Sequence, residues 1–226
     1  MKHKIHGQMS DSFLTAAFLS VSGGLQDAYT YIFRGKVFAN AQTGNILLLG
    51  INISERNWHM ALHYLVPVLA FAIGIALADL VKIRTKDLTL LHWRQISVFC
   101  EAVILLSVSF IPQDFNLVAN ALTSLACGIQ VESFRKIHGN GIATTMCIGN
   151  LRSATQHMCS YANTKDKEYI KKGLLYYGII FFFVIGAVIG NACVEMFAEK
   201  ALLIASAILA VAFVMMFVDG EKEQCK

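Results

Sequence analysis

"GGLQDAYTYIFRGKVFANAQTGNILLLG", residues 23–50, decides the fold, because an apolar stretch gives way to a short polar one and then becomes apolar again. Within the segment Val37–Ile53, amide and hydroxyl side chains occupy four of six consecutive positions: Asn40, Gln42, Thr43 and Asn45. Irregular backbone at membrane depth is tolerated only where it is buried in protein or faces water. We therefore expect Val37–Ile53 to dip into a membrane as a re-entrant or broken helix.

The composition around this stretch is that of a membrane protein. Of the 226 residues, 56% are apolar and 15% are charged, whereas soluble domains carry about 25% charged residues. A membrane-spanning helix needs about 20 residues. Six apolar stretches approach or reach this length: Phe13–Phe33, Met60–Val81, Ile96–Ile111, Leu117–Phe134, Gly173–Val194 and Ala201–Val218. The chain is therefore predicted to be an all-α integral membrane protein with the lipid bilayer as its partner. No nucleic-acid partner is expected, because the basic residues cluster in loops.

The distribution of Lys and Arg predicts the topology. With six spans, fifteen of these residues fall on one side of the membrane and four on the other. An eight-span alternative, in which Val37–Ile53 and Ile142–Tyr161 both cross, divides them ten to nine. The positive-inside rule favours six spans with both termini in the cytoplasm. Val37–Ile53 and Ile142–Tyr161 then become polar segments that enter the membrane without crossing it.

The two halves of the chain resemble each other. Gly24-Leu25-Gln26-Asp27 matches Gly128-Ile129-Gln130-Val131 at an offset of 104, and the later Gly44-Asn45 matches Gly149-Asn150 at 105. A single membrane domain, 1–226, is predicted, with repeat 1 at about 12–112 and repeat 2 at about 115–219. Three spans in each repeat would invert the second copy relative to the first. Inverted repeats with broken helices near the midplane are found in many secondary transporters.

These motifs resemble the signature of the YoaK family of bacterial inner-membrane proteins, which carry a domain of unknown function. The matching residues in the first half are Gly24, Asp27, Ala28, Phe38, Thr43, Gly44 and Asn45, and those in the second half are Gly128, Gln130, Thr144, Thr145 and Gly149. Val131 and Ile148 depart from the Asn and Thr of the family pattern. The resemblance implies a six-span fold in the bacterial inner membrane and little about activity.

Three carboxylates lie inside predicted spans: Asp27, Glu101 and Glu132. A charge at the bilayer centre costs about 2.5–3.5 kcal/mol on insertion scales, so such acids are candidates for function. Asp27 and Glu132 lie one aligned position apart in the two repeats, which favours a proton or cation site. Alternatively, each acid caps a helix break or pairs with a base such as Arg34 or Arg135.

The paired amides Gln26 and Gln130 either bind a solute or join helices by hydrogen bonds. Thr43 and Asn45 either bind a polar solute or satisfy the backbone of the broken helix, while Gly44 allows close approach or a positive φ. The predicted substrate-binding residues are Gln26, Asp27, Asn40, Thr43, Asn45, Gln130, Glu132, Thr144, Thr145 and Asn150.

The function that these patterns favour is a small-solute secondary transporter or channel, with proton coupling left open and its site at the repeat interface. The alternative is a membrane scaffold or assembly protein whose polar groups hold broken helices together. No enzyme is predicted, because no nucleophile–base pair is evident. No cofactor or metal is predicted, because the i,i+4 pair His59 and His63 lacks a third ligand. Assembly into a homo-oligomer is left open.

Overall fold

The computed structural model describes residues 12–84, 93–136 and 140–224, and its regular structure there is helical. The helices are α1 (Phe13–Phe33), α2 (Gln42–Ser54), α3 (Trp58–Arg84), α4 (Trp93–Val108), α5 (Asn116–Ser133), α6 (Cys147–Thr164), α7 (Lys167–Phe197) and α8 (Leu202–Gln224). Short 3₁₀ turns at Gln113–Phe115 and Ala198–Ala201 precede α5 and α8. The all-α prediction is confirmed, and α1 has the predicted limits. Lys2, Lys4, Lys86 and Lys226, which entered the charge count, lie outside the described residues.

Local sequence signals set the ends of α1. The side chain of Ser12 accepts a hydrogen bond from the backbone N–H of Thr15, 3.1 Å away, which satisfies one of the free donors of the first turn. After Arg34 the chain turns through Gly35, whose φ of +85° is in the region that favours glycine. Nε2 of His63 hydrogen-bonds to the carbonyl oxygen of Gly35 at 2.9 Å, so one member of the histidine pair holds this turn.

The two polar segments form shorter or more polar helices than the six apolar stretches. The 13 residues of α2 rise about 20 Å at 1.5 Å per residue, which is less than the hydrocarbon thickness of about 30 Å. α6 has 18 residues and carries Arg152, Gln156 and His157. Each helix follows a non-helical stretch, residues 34–41 before α2 and residues 134–146 before α6.

Helices of one half pack on helices of the other. α1 packs on α7, and α3 packs on α5. In both pairs glycines bring the backbones together: a Cβ atom at Gly24 would strike the carbonyl oxygen of Phe183, and one at Gly128 would strike that of Phe71. A Cβ atom at Gly74 would likewise strike the carbonyl oxygen of Leu125. Small residues of this kind let membrane helices approach closely.

The contacts also give the relative directions of the helices. Phe13 meets Phe182 on α7, and further along both helices Leu25 meets Gly190, so α1 and α7 are parallel. On α4 and α8 the order is reversed, because Phe99 contacts Phe213 while Ser206 bonds the later Ala102. α4 and α8 are therefore antiparallel.

α1 and α5 are antiparallel as well. Gln130 on α5 donates to the carbonyl oxygen of Leu19, whereas the earlier residue Cys127 donates to the later residue Gln26 on α1.

The outward faces of the bundle are apolar. Among the described helices, α3 (27 residues) and the α7–α8 stretch Lys167–Phe217 (51 residues) are long and apolar enough to cross a membrane. Large apolar side chains on their surfaces are more than half exposed, among them Leu69, Ile73, Phe181 and Val188. Exposed apolar patches of this extent mark a membrane or protein interaction surface.

Candidate functional site

The stretch after α1 folds back along α1 to the middle of that helix. Residues 39–41, here called the first tip, precede α2. The backbone N–H of Asn40 donates to Oδ1 of Asp27 at 2.7 Å, and Nδ2 of Asn40 donates to the carbonyl oxygen of Gly23 at 3.2 Å. Non-helical backbone thus lies beside the centre of α1.

The Asp27 carboxylate organises the first tip. It is buried, and it accepts the hydrogen bond from the backbone N–H of Asn40. Backbone donors of this kind stabilise an ionised carboxylate. Of the alternatives that the sequence left open, the structure therefore supports capping of a helix break. Arg34 does not pair with Asp27 in the described part of the chain.

The Arg34 guanidinium is instead buried at the end of α1. It donates to the hydroxyl group of Tyr29 at 2.7 Å, the carbonyl oxygen of Ile111 at 2.6 Å, the carbonyl oxygen of Pro112 at 3.1 Å and Oδ1 of Asn116 at 3.1 Å. These contacts tie α1 to the connection between the two halves of the chain.

Asn45 and Gly44 shape the entry into α2. Asn45 accepts from the backbone N–H of Phe38 at 3.0 Å and donates to the carbonyl oxygen of Phe38 at 2.7 Å. The Phe38 ring covers Gly44, where a Cβ atom would lie 2.7 Å from it. Asn45 therefore satisfies the broken backbone, and Gly44 allows close approach of the ring.

The second half builds a related arrangement. Residues 144–146, here called the second tip, precede α6. Nε2 of Gln130 donates to the Thr144 hydroxyl at 2.7 Å, and Asn150 donates to the carbonyl oxygen of Ala143 at 2.7 Å. Asn150 holds the chain seven residues before it, as Asn45 does.

The two tips meet at Gly23. A Cβ atom at Gly23 would strike the methyl group of Thr145 and would lie 3.7 Å from Nδ2 of Asn40. Gly23 therefore leaves room on α1 for both tips at once, which is a close approach that a larger residue would prevent. Residues that follow α1 and residues that follow α5 converge on one point of the fold.

Two of the predicted binding residues lie apart from this convergence. The Thr43 side chain is exposed on α2. The Glu132 carboxylate pairs with Arg135 at 3.2 Å, as the ion-pair alternative predicts, and not with a group of either tip. At an offset of 104, the position equivalent to Asp27 is Val131, which carries no charge.

The structure adds residues that the list of predicted binding residues omits. Gln26 donates through Nε2 to Oε1 of Glu101 and to Oγ of Ser22, both at 3.1 Å. Cys127 donates to Oε1 of Gln26 at 2.9 Å. Glu101 was visible in the sequence as an intramembrane acid, but its partner lies 75 residues away and no spacing rule predicts such a pair. We call the following residues the polar cluster: Gln26, Asp27, Asn40, Glu101, Cys127, Gln130, Thr144 and Thr145.

Several buried oxygen atoms of the polar cluster have no hydrogen-bond partner within the described ranges. They are Asn40 Oδ1, Glu101 Oε2, Gln130 Oε1 and Thr145 Oγ1. A buried polar group left unpaired costs about 1–3 kcal/mol, so each such atom in a native fold calls for an explanation. A bound ligand or cation, or a proton on the carboxyl oxygen, would give these oxygens a partner.

Comparisons with known proteins agree with a membrane protein. Residues 15–215 match the family described as "Protein of unknown function (DUF1275)". The chain is 25% identical over 185 residues to the UPF0700 transmembrane protein YoaK of Bacillus subtilis (strain 168), covering 76% of this chain and 80% of that protein. No solved structure matches the chain.

Proposed function

This chain belongs to the DUF1275 family of membrane proteins, and from the geometry of its own residues we propose that it is a small-solute secondary transporter. The proposed site is the polar cluster at the interface of two inverted repeats. The observation that carries the proposal is the meeting of Asn40 and Thr145, one from each tip, at Gly23. Many secondary transporters bind their substrates where discontinuous helices meet near the midplane.

The helix directions support six crossings. If α2 and α6 do not cross, alternation makes α1 and α7 parallel and α4 and α8 antiparallel, which agrees with their contacts. If α2 and α6 both crossed the membrane, α4 and α8 would be parallel. If only one of α2 and α6 crossed, α1 and α7 would be antiparallel. Two dipping segments and six spans are the arrangement that fits both pairs.

The packing supports an internal two-fold relation between the repeats. The α1–α7 contact corresponds to the α5–α3 contact when the halves are exchanged. Gly24 and Gly128, 104 residues apart, each face the helix of the other half. Together with three spans in each repeat, this relation supports entry of the first tip and the second tip from opposite membrane faces.

The unpartnered oxygens support binding of a small polar solute or cation. Asn40 Oδ1 and Thr145 Oγ1 belong to the two tips, and Gln130 Oε1 belongs to the helix that precedes the second tip. The two amide oxygens are hydrogen-bond acceptors and the Thr145 hydroxyl both donates and accepts, so a solute with N–H or O–H groups or a positive charge matches them. The proposal includes a bacterial inner-membrane location with both termini cytoplasmic, and no enzymatic chemistry.

A scaffold remains the second candidate, and one observation favours it. Asp27, Asn45 and Asn150 all bond to backbone groups of the dipping segments. Polar side chains that only hold a broken backbone need no solute. A scaffold of this kind would keep the two tips closed from both sides of the membrane.

Reactivity of a cysteine at the second tip separates these functions without knowledge of the solute. Thr145→Cys is made in a background without the six native cysteines, and a small membrane-impermeant thiol reagent is added to intact cells or to inside-out vesicles. A transporter that alternates between two open states exposes this position to both sides in turn. We expect modification in both preparations.

Ala119→Cys, at a position that is also buried but lies outside the polar cluster, is the matched control and should stay unmodified. Modification of Thr145→Cys from neither side favours the scaffold. Modification from one side alone contradicts alternating access.

A further inference from the structure

Glu101 is a buried carboxyl group with no cationic partner in the described part of the chain. Its side chain on α4 is 0% exposed. Oε1 accepts from Gln26, whereas Oε2 has no hydrogen-bond partner within residues 12–84, 93–136 and 140–224. None of the ion pairs in these ranges includes Glu101. An ionised carboxylate in such surroundings is strongly disfavoured unless it is paired, and the usual outcome is that the group is neutral.

Among the described residues, no cationic side chain from the helices around α4 hydrogen-bonds or ion-pairs with Glu101. α1 presents Gln26 and Asp27, and α5 presents Cys127, which lies near both acids. α8 presents Ser206, whose hydroxyl donates to the carbonyl oxygen of Ala102.

The cations at the ends of α4 have other partners. Arg94, in the first turn of α4, donates through Nε to the carbonyl oxygen of Ser133 at 3.1 Å and lies over the Trp93 and Phe134 rings. Lys82 of α3 lies over the Trp93 ring at the start of α4. The buried guanidinium of Arg34 is taken up by the connection between the halves.

We propose that Glu101 is the proton-carrying group of the transport cycle, a role that rests on the proposed transport function. In the closed conformation the proton is on Oε2, and Oε1 accepts from Nε2 of Gln26. When α1 and α4 separate, water reaches Oε2 and accepts the proton, and the remaining carboxylate is held by the Gln26 amide. Water from the opposite side returns a proton to Oε2 before the helices close again.

Gln26 couples this proton to the solute site. Its Nε2 donates to Glu101 and to Ser22, and its Oε1 accepts from Cys127. Ser22 precedes Gly23, where the tips meet. A solute that moves Asn40 or Thr145 therefore acts on the helix turn that holds Gln26. This differs from the proton site expected from the sequence, since Glu132 pairs with Arg135 and Asp27 holds the first tip.

Infrared spectroscopy of the full-length protein in liposomes tests the proton directly. The C=O stretching band of a protonated carboxyl group is recorded at neutral and at alkaline pH. We expect a band at neutral pH that is lost in Glu101→Gln and retained in Glu132→Gln, the matched control at an ion-paired acid. Gln26→Leu removes the donor to Oε1, so the band should shift to higher frequency, which provides a second test if Glu101→Gln does not fold.

The absence of a band in the wild-type protein, or a band of unchanged intensity in Glu101→Gln, overturns the assignment. An unshifted band in Gln26→Leu also overturns it. None of these readouts requires transport, so the protonation of Glu101 and the transport function can fail separately. If Thr145→Cys is modified from neither side while the infrared band behaves as expected, the transport proposal is rejected and the assignment of a proton to Glu101 stands.

Discussion

Asn45 makes a two-way bridge to Phe38, because its side-chain amide accepts from the backbone N–H of Phe38 and donates to the carbonyl oxygen of the same residue. Asn150 makes half of this bridge, a single bond to the carbonyl oxygen of Ala143. The asparagines are 105 positions apart, as are their backbone partners. The non-helical stretches before α2 and α6 are thus held in the same way, but by a different number of hydrogen bonds.

Replacing these asparagines should have unequal effects on stability. Asn45→Ala leaves both polar groups of Phe38 without their partner, whereas Asn150→Ala leaves one group of Ala143. These backbone groups are partly buried, so each one left unsatisfied costs less than the about 1–3 kcal/mol of a fully buried group. We expect both variants to unfold at lower temperature in detergent, Asn45→Ala the lower of the two. Equal melting temperatures would show that the second bond of Asn45 contributes nothing.

Asp27→Asn should destabilise the protein through the first tip. The carboxylate accepts from the backbone N–H of Asn40 at 2.7 Å, and the neutral amide of asparagine is a weaker acceptor for this donor. Hydrogen bonds to charged groups contribute about 1.5–3 kcal/mol each. A lower melting temperature and faster proteolysis between α1 and α2 are expected.

Glu132→Gln is the matched control for Asp27→Asn. It removes a carboxylate that is 11% exposed but whose partner Arg135 is 67% exposed, so solvent screens the pair and a smaller loss of stability than in Asp27→Asn is expected. Wild-type stability of Asp27→Asn together with loss of transport would reassign Asp27 from a structural role to the solute or proton site.

The sequence predicts those parts of the fold that depend on local pattern. The apolar run Phe13–Phe33 became α1 with the same limits, because length and hydrophobicity suffice to define such a helix. Gly44-Asn45 marks the break before α2 for a similar reason, since a polar group in an apolar chain needs a partner. The structure shows that this partner is backbone.

Long-range partners could not be predicted in this way. Arg34 was counted as a loop cation, yet its side chain is buried against residues that lie far along the chain. Glu132 was paired with Asp27 on alignment, but one position in a helix rotates a side chain by about 100° and changes the neighbour that it meets. The Gln26–Glu101 bond joins different helices, and the sequence contains no spacing that indicates it.

Gly24→Ala should disrupt the contact between α1 and α7. The added methyl group would strike the carbonyl oxygen of Phe183, which belongs to helix backbone and has little freedom to move. Overpacking of this kind costs about 1–3 kcal/mol. We expect a lower melting temperature, and the same for Gly128→Ala at the related contact of α5 with α3.

Gly50→Ala is the control for the glycine variants, because nothing lies within 4 Å of its Cβ position in α2. Alanine in a helix interior is favoured over glycine by about 0.5–1 kcal/mol, so this variant should be as stable as the wild-type protein or slightly more stable. Destabilisation by Gly50→Ala equal to that by Gly24→Ala would mean that the α1–α7 contact has no special role.

Inversion of the repeats predicts that the loops after α1 and α5 lie on opposite sides of the membrane. Lys36 and Lys136 are exposed residues in these two loops and are of the same type, so Lys36→Cys and Lys136→Cys form a matched pair. In a cysteine-free background, a membrane-impermeant thiol reagent added to intact cells should label Lys36→Cys, and should label Lys136→Cys only after lysis.

Labelling of both from one side would make the repeats parallel, and the two tips would then enter from the same face. A midplane site reached alternately from both sides requires the opposite result, so this measurement decides whether the meeting of Asn40 and Thr145 at Gly23 can serve transport.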